Sequence, residues 1–235
     1  MFSLPPLTPF VKKLIFTLLG AFVLELVLQN FLHLPVAGWL ALQPGHLGVN
    51  TVWQIVTYVL IEAPSAVISM LIGLFFMWMI MAPFEATFGP RRTMELSLAG
   101  TLGAALCVIA AAQVDRQSDY IFFGSHPIAY AGMAAMATVM QRGRMMFFGV
   151  IPMTSQQLLM VLVGLCVLQY LASTDFVMLC GSLGAIGAGV LYVKYMTRTP
   201  RPRRAKRTSG SRFRVVRGGA AGDSPNDGDR PKWLN

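Results

Sequence analysis

An all-α polytopic membrane protein with six transmembrane helices is the fold class this sequence predicts, and three observations predict it. Of 235 residues, 55% are hydrophobic and only 12% are charged, against about 25% charged in an average soluble domain. Mean hydropathy is +0.59. The apolar residues gather in six stretches that approach or reach the roughly 20 residues a bilayer core requires. Within that core backbone N–H and C=O groups find no water, so segments that cross it are helices. A disordered chain is excluded by the same apolar fraction.

The six segments lie at about 14–32, 64–83, 94–112, 126–141, 157–172 and 176–195. The first follows Lys12 and Lys13 and superficially has a signal-peptide layout. Its apolar run continues to about Leu32 without a small-residue cleavage site, which predicts a retained span. The second ends at Pro83, the third opens with Glu95 near its start, and the fourth begins at His126-Pro127, where proline suits a first helical turn. Residues 145–153 are ambiguous between the fifth span and a connection. The connection at about 33–63 is half apolar and contains Trp39 and Trp53. Partial burial among lipid headgroups, with the two tryptophans as anchors, accounts for that composition.

Charge orders these spans. The net charge is +9, but residues 1–195 hold 8 basic and 7 acidic residues, while 196–235 hold 11 basic and 3 acidic. The excess therefore sits on a tail, expected to be disordered from its Pro, Arg and Gly content. Placing both termini in the cytoplasm puts 18 of the 19 basic residues there, including Arg91, Arg92, Arg142, Arg144 and Lys194, and leaves Arg116 outside. A bacterial inner membrane fits this arrangement. The nine basic residues from Arg198 to Arg217 are uninterrupted by acid, which predicts attraction to anionic lipid. They serve first as a topology anchor. Nucleic-acid binding is not expected, because the basic charge is confined to the tail.

Other chemistry is sparse. Cys107, Cys166 and Cys180 all lie in apolar stretches with no CxxC pair, and His33, His46 and His126 form no metal-ligand spacing. No metal or cofactor is expected. Glu25 and Gln29 share a face of the first span. An ionisable residue at that depth costs several kcal/mol unless it faces the bundle or water. Glu25 reads either as a contact for a client helix or an internal relay, or as a protonated or hydrogen-bonded packing residue, and the packing role is the expectation. Glu95 is expected beside Arg91 or Arg92. Gly181, Ala185 and Gly189, at spacing four, present small residues to a neighbour, and Ala131 and Ala135 offer the matching surface on the fourth span. A transporter is disfavoured, since the spans hold few ionisable residues and no inverted repeat with broken helices.

Four motifs over roughly residues 50–195 carry a family resemblance. They are Trp53-Gln54-Ile55-Val56-Thr57 before the second span; Glu85-Ala86-Thr87-Phe88-Gly89 after it; Gly124-Ser125-His126-Pro127 at the head of the fourth; and Ser182-Leu183-Gly184-Ala185 through Gly189 in the sixth. Their order and spacing resemble the rhomboid superfamily of intramembrane serine proteases. The resemblance implies a six-helix rhomboid-like bundle and a Ser–His dyad, with His and Asn of the second span assisting the oxyanion. Here all four positions depart from the pattern: His126 stands at the nucleophile position, Ser182 at the base position, and Ser69 and Gly73 at the oxyanion positions. A serine hydroxyl is a weak nucleophile without an adjacent base, and a tetrahedral oxyanion needs preorganised donors. The expectation is therefore a non-proteolytic member that binds transmembrane client proteins beside the second and fifth spans, near Trp78, Met79 and residues 157–170. The alternative is an active endopeptidase with a rearranged site, either an exchanged Ser182–His126 pair or Ser125 as nucleophile.

Overall fold

The computed structural model describes residues 5–116, 119–139, 145–147 and 151–198. The chain forms helices α1 (Pro9–Phe31), α2 (Val36–Leu40), α3 (Gln54–Thr57), α4 (Val67–Phe88), α5 (Pro90–Val114), α6 (His126–Val139), α7 (Ser155–Ser173) and α8 (Phe176–Arg198), with short 3₁₀ turns between α2 and α4. All six apolar segments are helical. By length and apolarity, α4, α5, α7 and α8 each suffice to cross a bilayer. Together they make a polytopic all-α membrane bundle.

Several boundaries moved. The first helix starts at Pro9, so Lys12 and Lys13 lie inside its first turns. The second continues past Pro83 to Phe88. Proline removes one N–H bond, yet Phe84 and Glu85 just beyond it are buried and tie this stretch into the core. Residues 145–147 and 151–153 pair as a small antiparallel hairpin, β1 and β2, so that stretch is a connection and not part of the fifth span. Arg142, Arg144, the end of the predicted fourth span and the tail beyond Arg198 lie outside the described residues.

The helices are apolar nearly all round, so burial is set by position. Helix α6 is central, with Ile128, Ala131, Gly132, Ala135 and Thr138 among its many buried residues. Its 14 described residues cover about 21 Å. Helix α7 is peripheral: Leu158, Leu162 and Cys166 are buried on one stripe, while Met160, Leu165, Leu168 and Leu171 are exposed. In a bilayer that exposed face meets lipid.

Small residues allow α5, α6 and α8 to close up. A Cβ at Gly184 would lie 2.6 Å from both the Cys107 Sγ and the Gly103 carbonyl oxygen of α5, and one at Gly189 would strike the Ala131 backbone of α6. Gly181, however, faces Val108 and Phe122. The predicted stripe on α8 thus divides between two neighbours, with α5 the partner that spacing did not single out. Ala185 is fully buried.

Two turns are built from identifiable chemistry. Gly89 has φ +85° and ψ 165°, a conformation essentially limited to glycine, and Pro90 then opens α5. Between α7 and α8, Thr174 adopts the left-handed conformation. Asp175 then accepts the Met178 N–H at 2.9 Å, capping α8, and the Tyr120 hydroxyl at 2.6 Å. Burial and that carboxylate push the Tyr120 phenol pKa well above its ordinary range.

Candidate functional site

The head of α6 is assembled from three distant parts of the chain. Gly124 has φ +116°, and its N–H donates to the Tyr58 carbonyl at 3.1 Å. Ser125 follows, buried, with its carbonyl accepting the Ile128 N–H of the first turn. Both its backbone N–H (2.9 Å) and its hydroxyl (2.8 Å) donate to one oxygen of Glu62. A carboxylate there satisfies a donor at the helix start and faces the positive end of the helix dipole. The Glu62 N–H in turn donates to Glu25 at 3.2 Å. Glu25 lies on the same buried stripe of α1 as Val11, Leu18 and Phe22. The chain Glu25–Glu62–Ser125 thus links α1, the long connection and α6.

His126, next along, does not meet Ser182. Its Nδ1 lies against Gly124, where a Cβ would come within 2.7 Å. Its ring packs edge-on with Phe122 (5.5 Å) and Tyr130 (5.7 Å). Its Nε2 is buried without a hydrogen-bond partner. Ser182 is buried on α8. No hydrogen bond joins the His126 Nε2 to Ser182 in this arrangement. Ser69 is exposed on the first turn of α4, and Gly73 offers no side chain, with nothing within 4 Å of where a Cβ would lie. The two oxyanion positions supply no paired side-chain donors.

The remaining motif residues brace the scaffold. Trp53 donates its indole N–H to the Trp39 carbonyl at 3.1 Å, and Thr57 donates to the Leu40 carbonyl at 3.0 Å. Glu85, buried at the far end of α4, accepts hydrogen bonds from the Thr8 hydroxyl and from the N–H groups of Phe10 and Val11 (2.9 Å each), capping α1. Glu95 was expected beside Arg91 or Arg92; its carboxylate accepts the Tyr192 hydroxyl at 2.7 Å, so α8 provides a partner. Among the described residues no group of three or more His, Cys, Asp or Glu is placed to hold a metal ion. An apolar groove of about 670 Å³ runs between α5 and α8, lined by Gly103, Cys107, Cys180 and Ala188 among others. It includes none of Ser125, His126 and Ser182.

A family model, the Rhomboid domain, matches residues 49–199, which takes in the motifs at Trp53, Glu85, Ser125 and Ser182. The chain belongs to the rhomboid family. Comparison with curated proteins finds no match. The matched range includes Ser69, Gly73, His126 and Ser182.

Sequence reasoning missed Glu62 as a site residue. A signal was present: Glu62 is the single Asp, Glu, Lys or Arg between residues 26 and 84. An isolated charge in so apolar a stretch needs an internal partner or water. Chemically, the Ser125–Glu62 contact supplies a hydroxyl beside a carboxylate. A carboxylate is a much weaker base than imidazole, and helix capping already draws on its charge.

Proposed function

We propose that this rhomboid-family membrane protein binds, retains or presents transmembrane segments of other membrane proteins without cleaving them. The observation that carries the reading is at the dyad positions: His126 Nε2 is buried without a hydrogen-bond partner, so it does not engage the Ser182 hydroxyl. Serine proteolysis requires a base to take the hydroxyl proton, and among the described residues the His126 Nε2 makes no hydrogen bond to Ser182. A client helix packs beside α4 and the exposed face of α7, near Trp78 and Met79. In this reading the membrane is a bacterial inner membrane, six helices cross it, and both termini are cytoplasmic. The basic residues beyond Lys194 contact anionic lipid.

A photo-crosslinking residue at position 78 of the full chain tests client binding: a covalent adduct with another membrane protein is expected, and adducts with lipid alone contradict it. A second reading, an intramembrane endopeptidase with a rearranged site, draws on the 2.8 Å contact between Ser125 and Glu62. A serine-reactive phosphonate separates the two. No adduct is expected; an adduct abolished by Ser125→Ala or Ser182→Ala establishes the protease.

A further inference from the structure

We infer that the groove between α5 and α8 is a binding site for one zwitterionic phospholipid: an acyl chain lies along the groove, and an ethanolamine headgroup sits at its mouth, phosphate on Arg116 and ammonium on Asp115. The first observation is the floor. Gly103 of α5 meets α8 so closely that a Cβ on it would lie 2.4 Å from the Ala188 Cβ and 2.9 Å from the Gly184 carbonyl oxygen. That contact closes the bottom of a cleft of about 670 Å³, within the roughly 300–1,000 Å³ of small-ligand sites. Gly187 lines the same cleft, yet nothing lies within 4 Å of where its Cβ would be. A mid-helix glycine costs stability relative to alanine, and packing inside this chain does not require this one. The space it leaves is open to an occupant.

The second observation is length. Along α5 the lining runs from Gly103 to Val114, about 16 Å at the helical rise. One leaflet of a hydrocarbon core of roughly 30 Å is about 15 Å deep. The groove is therefore as long as one leaflet is deep, which fits an acyl chain. A helix from a second copy crosses both leaflets and is about 10–12 Å across, so most of it would find no groove to enter. Leu106, Leu183 and Leu191 form an exposed rim, and the lining holds no charged side chain.

The third is charge at the mouth. Val114, the last residue of α5, and Phe176, the first of α8, both line the groove. Asp115 and Arg116 follow Val114 directly, and both are exposed. Arg116 is the single Lys or Arg between Arg92 and Arg142. A guanidinium meets a phosphate through paired, charge-assisted N–H donors. Asp115 beside it accepts an ammonium, which there also faces the negative end of the α5 dipole. A headgroup that is anionic alone would meet Asp115, Asp119 and Asp175 against one arginine. A zwitterion with an ammonium matches both signs.

Native mass spectrometry of the full chain tests this. The detergent-purified protein receives equal amounts of phosphatidylethanolamine and phosphatidylglycerol with the same acyl chains. One phosphatidylethanolamine per chain is expected to stay bound in preference to phosphatidylglycerol. Gly187→Leu fills the groove and should abolish that adduct. Arg116→Gln, an exposed change that leaves the core intact, should weaken it about ten-fold, the scale of one charge-assisted hydrogen bond, and keeps the test decisive if Gly187→Leu does not fold. Retention unchanged in folded Gly187→Leu or in Arg116→Gln overturns the inference, as does a preference for phosphatidylglycerol. A dimer that Gly187→Leu dissociates, with no lipid adduct, overturns it in favour of a second copy.

Discussion

Removing the Glu85 carboxylate should loosen α1 from the bundle. Glu85 is buried and separated by more than 70 residues from the groups it binds, the Thr8 hydroxyl and the N–H groups of Phe10 and Val11. Hydrogen bonds to a charged group contribute about 1.5–3 kcal/mol each, and a buried donor left unsatisfied costs about 1–3 kcal/mol. The hydroxyl can turn elsewhere, and Phe10 is only partly buried, so the contributions do not simply add. Glu85→Ala is expected to cost about 3–5 kcal/mol. Glu85→Gln keeps an acceptor oxygen but loses the charge facing the helix N-terminus, and should cost about 1–2 kcal/mol. Two readouts check this in detergent micelles: the midpoint of thermal unfolding, and hydrogen exchange at residues 10–13. Both should change in the order Ala, Gln, parent, with exchange the more sensitive. An Ala variant that unfolds at the parent temperature with unchanged protection at Phe10 and Val11 would refute the capping argument.

Other outcomes follow from the same contacts. Gly184→Val places atoms within reach of the Gly103 carbonyl, and should destabilise by about 1–3 kcal/mol or more through overpacking, whereas Gly187, with nothing within 4 Å of its Cβ position, should accept Ala with a gain of up to about 1 kcal/mol; thermal unfolding of the two side by side checks the contrast. Tyr58→Phe loses the bond to Thr101 and should cost about 0.5–1.5 kcal/mol, read by the same melt. The raised Tyr120 pKa contributes stability that is complete below the unfolded phenol value of about 10 and fades as pH climbs through the folded value. Absorbance titration should therefore show Tyr120→Phe removing one tyrosine from the late, unfolding-linked step, and a loss from the early step would contradict that sign.

Much of the bundle was legible in the chain. Each apolar stretch became a helix, because bilayer crossing demands internal backbone bonding. The helix ends were less legible. Pro83 argued for a stop, yet burial of Phe84 and Glu85 carried the helix onward. The site was least legible. His126 and Ser182 were correctly located on α6 and α8, but their pairing depends on how each helix is rotated. A helix that is apolar on every side carries no stripe from which to read that rotation.

What composition and order determined, then, was the membrane, the helices and the family, since these depend on local chemistry and on distance along the chain. Which side chains meet was decided only in three dimensions: Glu62 with Ser125, Glu85 with the start of α1, and Tyr58 with Thr101. Each joins groups on different segments, and a buried polar group takes whichever partner the depth and rotation of two packed segments bring within about 3 Å.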